Sequence, residues 1–539
     1  MSDCAPGMQQ WPLLIPKIID HAAAIFPRRS IVGADGAGGL DRSDWGTLHG
    51  RAQQVARAFE ALGVGRGDRV ATLAWNSIRH LECWYGANGM GAVLHTINPR
   101  LFAEQILFIA NHARDRVLLF DACFAPLVES LRPQLATIEH FVVLGDRAQM
   151  PDGADYLCFD ELVAAQPADY AWADVDENAP SGLCYTSGTT GDPKGVVYSH
   201  RSNVLHAMAT CTANGFNISA KSTVMPVVPM YHANAWGVAF SSAMAGARLI
   251  LNGPHFDPPT LHRLIVEHGV TITLAVPTVW LGMLDYLDRE QVSLGVLETV
   301  IIGGSAVPQA MIEQFRDRYG VTVVQVWGMT EMSPLGSVAI LDLDEQRLPA
   351  AERIAIQIKQ GRPPFGVEME IADDDGHLVA RDGAAFGHLR VRGPWTVDHY
   401  FADPASALDH DGWFDTGDIA TIDPGGMMQI VDRAKDVIKS GGEWISSAEL
   451  ENAAVGCPGV AEAAVIGIAD DKWGERPLLL LVERAGESCA VDQIRAHLAK
   501  VVAQWWIPDD IRIVTDIPHT ATGKISKIIL RKRYEASAL

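Results

Sequence analysis

The sequence predicts an α/β protein: a large N-terminal domain of helix-covered sheets with a small β-barrel-like unit, then a small α+β C-terminal domain. Three observations lead there. Strand-period and helix-period apolar segments alternate through about the first three hundred residues, hairpin signals take over beyond Gly361, and a separate mixture of short elements begins near Lys435. A chain of 539 residues holds roughly three or four domain-sized units, and its 48% apolar and 20% charged residues are the usage of a folded globular protein.

The first clear helix is carried by Leu48, Ala52, Val55, Phe59 and Leu62, spaced by four and three residues and stopped at Gly63. The short apolar run from Arg69 to Trp75 follows as a strand. Arg248 to Leu251 is a strand; Asp257 then precedes a helix opened by Pro258 and closed at Gly269. Thr271 to Ala275 is a strand, Pro277 opens a helix, and Glu298 to Ile302 is a buried strand ending in Gly303-Gly304. A helix from Pro308 to Tyr319 leads to the strand Val321 to Gln325. Such alternation builds parallel sheet covered by helices. Val367 to Ile371 with the turn Asp375-Gly376, and Asp418 to Asp423 with the turn Pro424-Gly425-Gly426, read as antiparallel hairpins. In the last part, helices are expected near Ser447–Ala454 and Val491–Val502, with strands near Val460–Ile468 and Leu478–Val482.

Several functions are disfavoured at once. A formal charge of −22 repels polyanions, so nucleic acid is not an expected partner. The eight cysteines lie far apart without a C-x-x-C pair, against a disulfide framework or structural zinc. Residues Met1 to Gln10 carry no basic side chain, so no presequence is expected and the cytoplasm is the default compartment. Ser222 to Ala247 lacks charge altogether, but Pro226, Pro229, His232, Asn234 and Gly237 would leave polar groups and broken backbone bonds in lipid. The segment therefore reads as a buried strand, a loop and a buried helix, with no integral membrane segment.

The most informative stretch runs from Ser181 to Gly195, a strand followed by glycines, hydroxyls and one lysine. Glycines let backbone N–H groups approach a polyphosphate, Ser187, Thr189 and Thr190 add neutral donors, and Lys194 supplies a mobile positive charge. A Walker A loop needs glycine before its lysine and Ser or Thr after it; here Pro193 precedes and Gly195 follows.

With this loop the chain resembles the acyl-adenylate-forming superfamily, which includes acyl-CoA synthetases, firefly luciferase and peptide-synthetase adenylation domains. Further blocks stand in the family's order: Gly303 to Pro308, Val326 to Glu331, Gly412 to Asp418, Asp432 to Gly442, and Thr522-Gly523-Lys524. The resemblance implies an ATP-dependent carboxylic acid–CoA ligase: a carboxylate and ATP give acyl-AMP and pyrophosphate, then coenzyme A gives the thioester and AMP. It implies an AMP- and acyl-binding domain over residues 1–432, a hinge at 433–438 and a mobile lid domain at 439–539. Thr186, Ser187, Gly188, Thr189, Thr190, Gly191 and Lys194 would cradle the phosphates. Glu331 would hold Mg²⁺ and Thr330 contact the α-phosphate. Gly303, Gly304, Ser305, Val326, Trp327 and Gly328 would flank the adenine, with Asp418 and Arg433 at the ribose. Lys524 would bind the carboxylate and the α-phosphate, Lys435 would be the hinge residue, and Ser440, Gly441, Gly442, Glu443 and Trp444 would line the coenzyme A path.

The resemblance sets the acyl site near Met230–Gly237, with His232, Trp236 and Val238 as candidate contacts. Trp236 resembles a gate residue of fatty-acyl-CoA synthetases, and the spelling from Gly441 to Ser447 most resembles bacterial medium- and long-chain fatty acid ligases. The expected acid is a medium- to long-chain fatty acid; the alternative is a short-chain, methylthio or aryl acid. No basic residue inside Ser222–Ala247 would pair with a second carboxylate. Two rival classes remain: an adenylate loader that does not use coenzyme A, and a P-loop phosphotransferase. Members of the family are often homodimers, so a homodimer is what the resemblance implies for assembly.

Overall fold

The computed structural model describes residues 8–35, 38–152, 155–186, 193–441, 443–484, 486–519 and 525–536, and of Glu443 only the backbone. They fall into two compact units. One takes the residues up to Thr186 together with Lys194–Glu368 and Gly393–Ala407; the other takes Met369–Arg392 and the chain from Leu408 onward.

The first unit is built on two sheets. The strands Arg69–Leu73, Val93–Thr96, Asp115–Phe120, His140–Val143, Leu157–Cys158 and Pro180–Tyr185 run parallel, and Gly195–Ser199 closes one edge antiparallel to Pro180–Tyr185. The second sheet orders Leu335–Val338, Thr322–Gly328, Thr299–Ile302, Ile272–Ala275, Thr223–Pro226, Arg248–Leu251, Ser30–Ala34 and Leu40–Asp44. Its six central strands are parallel, and both edge strands are antiparallel. Every expected strand here forms within a few residues of its predicted bounds.

The helices follow their sequence signals. Trp45–Ala61 starts where the Asp44 carboxylate accepts the Thr47 N–H at 2.8 Å, and it ends at Leu62 before Gly63, whose φ is +80°. Its inner face buries Trp45, Leu48, Ala52, Val55 and Phe59, and the Trp45 indole donates to the Ala247 carbonyl at 2.9 Å. Pro258–Glu267 and Pro277–Glu290 both begin with a proline, whose missing N–H would have had no partner in the first turn.

Ser222–Ala247 is the expected strand, loop and buried helix: Thr223–Pro226, a turn at Ala233–Gly237, and Val238–Ala245. No helix among the described residues is long and apolar enough to cross a membrane. All seven described cysteines are free thiols.

The second unit holds an antiparallel sheet ordered Glu368–Ala372, Phe386–Arg392, Phe414–Ile422, Met428–Arg433, and a sheet ordered Glu443–Ile445, Ile438–Ser440, Gly474–Glu483, Val460–Asp470 with Asp510–Ile513 parallel to Gly474–Glu483. The hairpin at Pro424–Gly426 forms as expected. The one expected at Asp375-Gly376 does not: the turn closes, but its return is a single bridge from Ala372 to Leu378, and the strand runs beside Phe386–Arg392 instead. The helix expected to reach Val502 stops at Leu498. Leu450, Val460, Leu479, Leu481, Ile494 and Leu498 give this part a core of its own.

Candidate active site

The loop between Pro180–Tyr185 and Gly195–Ser199 has a closed neck. The Thr186 N–H donates to the Lys194 carbonyl at 2.9 Å, and the Lys194 N–H donates to Thr186 Oγ1 at 3.1 Å. Ser187, Gly188, Thr189, Thr190 and Gly191 lie outside the described residues, as do Gly442, the Glu443 side chain and Lys524. The Lys194 side chain is exposed, and its Nζ sits 4.6 Å from the centroid of the Tyr400 ring. The Tyr400 hydroxyl donates to Glu331 Oε1 at 3.1 Å. Glu331 and Thr330 are buried, and the Thr330 carbonyl accepts the Tyr198 hydroxyl at 2.8 Å. Burial and then the Glu331 charge hold the Tyr400 phenol above its usual pKa, so it remains a donor.

Two of the expected nucleotide-binding segments end neighbouring parallel strands. A Cβ on Gly303 would lie 2.8 Å from Val326 Cγ2 and 3.1 Å from the tip of the Trp236 indole. Trp236 therefore packs beside the residues expected at the adenine. Its backbone is unusual: Ala233, Asn234, Ala235 and Trp236 all have φ between 41° and 56°, and Gly237 has 75°. Left-handed conformations cost L-residues about 1–2 kcal/mol each. The buried turn is held by the Ala235 N–H bond to the His232 carbonyl at 3.2 Å and by packing, with Asn234 against Gly182 and Gly237 against the His206 ring. Val238 is fully buried at the start of the next helix. Gly304 and Ser305 are exposed, and the Trp327 ring lies against Gly336 across the strand pair.

The second unit presents the other candidates. Asp418 and Arg433 face each other across paired strands, Nε to Oδ1 2.9 Å, with Asp418 buried and Arg433 half exposed. Lys435 gives its carbonyl to Arg531 at 3.1 Å, and burial lowers its ammonium pKa. Ser440 is buried beside Arg476, and Gly441, with φ +64°, lies against the six-membered ring of Trp473. The Trp444 ring packs against Phe386 in a tilted pair with centroids 5.2 Å apart and meets His388 edge-on, with the Lys439 ammonium 5.1 Å from its centroid.

The family model described as AMP-binding enzyme matches residues 19–401, and that of the AMP-binding enzyme C-terminal domain matches 449–524. The chain belongs to the AMP-binding enzyme family. A 3-methylmercaptopropionyl-CoA ligase of Ruegeria lacuscaerulensis is 48% identical over 532 residues, covering 98% of both chains. A medium-chain-fatty-acid–CoA ligase of Ectopseudomonas oleovorans is 45% identical, covering 98% of this chain and 97% of its own. The crystal structure of the anthranilate CoA ligase AuaEII in complex with anthranoyl-AMP superposes with a TM-score of 0.87 at 26% identity, over 99% of this chain and 100% of that one. This AMP-binding enzyme is an ATP-dependent acid–CoA ligase of the AMP-forming class, as the sequence implied.

Sequence reading of this AMP-binding enzyme missed Tyr198 and Tyr400. Neither has a motif spacing to Thr330 or Glu331: Tyr198 lies in the seven-stranded sheet and the Thr330–Glu331 turn in the eight-stranded one, so only tertiary packing brings these side chains there. It also missed His206, whose buried Nε2 accepts the Leu335 N–H at 3.2 Å. Burial lowers the His206 pKa to about 3, so the folded protein holds it neutral. Unfolded, the imidazole takes a proton below about pH 6.5, so its contribution is full above that pH and is lost as pH falls towards 3. His206→Gln is expected to remove about one proton from the acid dependence, about 1.4 kcal/mol per pH unit between pH 6 and 4. Parallel denaturant midpoints for parent and variant across that range would refute this.

Proposed function

We propose that this acid–CoA ligase acts on a monocarboxylic acid with an uncharged tail, and that its two half-reactions use the residues described above in the roles that follow. The observation that carries the assignment is the meeting of Lys194 and Glu331 on one tyrosine. A cation and a carboxylate are thereby held together at the mouth of a glycine-and-hydroxyl loop. A carboxylate is inert towards a thiol until its oxygen becomes part of a leaving group, and attack on the ATP α-phosphate does that in line, with pyrophosphate leaving. Lys194 and the loop take the β- and γ-phosphates, Thr330 the α-phosphate, and Gly303–Ser305 with Val326–Gly328 the adenine. Asp418 takes the ribose hydroxyls, oriented by Arg433.

The Glu331 carboxylate offers hard oxygen donors in a buried position, which fits Mg²⁺ shared between one carboxylate and substrate oxygens. When bound, the ion neutralises charge on the phosphate oxygens. Residues 433–438 are the hinge between residues 1–432 and 439–539. Lys524 serves adenylation, and residues 440–444 serve the thioester step after rotation.

The methylthio reading for the acid is favoured by the relative at 48% identity, whose printed name is that of a 3-methylmercaptopropionyl-CoA ligase. A medium-chain acid is the second reading, favoured by the relative at 45%. ATP- and CoA-dependent thioester formation with 3-methylthiopropionate, butyrate, octanoate and palmitate separates them by mass spectrometry. The expected order places 3-methylthiopropionate first; kcat/KM higher for octanoate selects the medium-chain reading. Each methylene is worth about 1 kcal/mol in an apolar site, so neighbouring chain lengths should differ by about tenfold or less.

A further inference from the structure

We propose that Tyr400 is a positioning residue of the nucleotide site: its hydroxyl aims the Glu331 carboxylate and its ring holds the Lys194 ammonium. The inference rests on the reading above, in which Glu331 takes a divalent cation and Lys194 a polyphosphate. The Tyr400 side chain touches both, 3.1 Å from Oη to Glu331 Oε1 and 4.6 Å from Lys194 Nζ to the ring centroid. Lys194 and Glu331 are 137 positions apart, so nothing local could set their spacing.

The backbone around Tyr400 is tied to both partners as well. The Val397 N–H donates to the carbonyl of Glu331 itself at 2.7 Å. At the other end the Phe401 N–H donates to the Gly195 carbonyl at 2.7 Å, and Tyr400 bridges antiparallel to Val196, two residues beyond Lys194. Residues 397–401 therefore form a strap with one end on the residue that carries the carboxylate and the other beside the lysine.

Each contact has a consequence for ligand binding. A carboxylate held at one oxygen by a hydroxyl loses rotation about its last bond, so less ordering remains when a cation arrives. An ammonium over an aromatic face is restrained by an attraction weaker than its pairing with phosphate, so it is gathered near the site without being withheld. Removing the hydroxyl should weaken metal-dependent binding, while removing the ring should also weaken binding of the metal-free nucleotide.

The test is equilibrium binding of ATP, titrated in EDTA and across a magnesium series, for Tyr400→Phe, Tyr400→Leu, Glu331→Gln and Lys194→Ala. Adenylation at each magnesium concentration is followed by pyrophosphate exchange. Tyr400→Phe is expected to need about tenfold more magnesium for half-maximal binding, with ATP affinity in EDTA within about twofold of the parent. Tyr400→Leu should show the same magnesium shift and a further loss of about threefold in EDTA. The magnesium dependence compares conditions within one variant, so a lowered folded fraction cancels there; the EDTA affinities are compared between variants after scaling to each variant's binding stoichiometry. If both Tyr400 variants keep the parent's magnesium dependence and EDTA affinity while Glu331→Gln and Lys194→Ala shift theirs, Tyr400 positions neither. If Glu331→Gln leaves the magnesium dependence where it was, the metal-ligand reading fails and this inference falls with it.

Discussion

Lys524→Ala is expected to slow acyl-adenylate formation by about 10²- to 10³-fold while leaving thioester formation from supplied acyl-AMP within about twofold of the parent. The asymmetry follows from where charge develops. In the first half-reaction the carboxylate and the α-phosphate, both anionic, must meet in one in-line transition state, and a compact ammonium touching both lowers that barrier. In the second, a thiol attacks a mixed anhydride whose leaving group is AMP, and the proposed hinge motion has by then withdrawn the lysine. The assignment rests on the sequence Thr522-Gly523-Lys524 within the matched C-terminal family model, since these residues lie outside those described. Pyrophosphate exchange measures the first step, and CoA-dependent AMP release from synthetic acyl-AMP measures the second. Equal loss in both would show that Lys524 has no special part in activation.

Gly328→Ala should be severely damaging to the first unit. A Cβ at 328 would stand 1.9 Å from the Pro334 carbonyl oxygen and 2.8 Å from its carbon, and both are backbone atoms that cannot swing aside. The residue pairs with Leu335 at the end of the antiparallel strands, and the turn they enclose carries Thr330 and Glu331. Relief of the clash must open that pairing. We expect a loss of about 3 kcal/mol or more of stability, with ATP binding weakened by at least about tenfold. Thermal unfolding and ATP titration read the two effects separately. A variant with parental melting temperature and parental ATP affinity would mean that the turn has room which this packing denies it.

Much of this architecture was legible because its signals are local. Leu48, Ala52, Val55 and Phe59 recur at helical spacing, prolines open the helices at 258 and 277, and the strand Pro180–Tyr185 leads directly into the glycine-rich loop. The uncharged run of residues 222–247 was read correctly as core because proline and polar residues interrupt it. Where the reading failed, a distant partner competed. The strand Glu368–Ala372 keeps only one bridge across its adjacent turn, to Leu378, while Phe386–Arg392 offers it a longer edge.

By itself the sequence determined most of the element order, the glycine, hydroxyl and lysine composition of the loop after Pro180–Tyr185 and the family blocks that make this chain an acid–CoA ligase. Each is written in residues close together along the chain. Tertiary structure alone decided that Tyr400 joins Lys194 to Glu331, that Trp236 reaches Gly303 from a left-handed turn, and that Gly328 has no room for a methyl group. The reason is physical: such contacts arise from which strands lie side by side and which carbonyls face each other. Neither is encoded in the propensity of any single residue, and Ala and Trp adopt positive φ only where the surrounding core leaves no alternative.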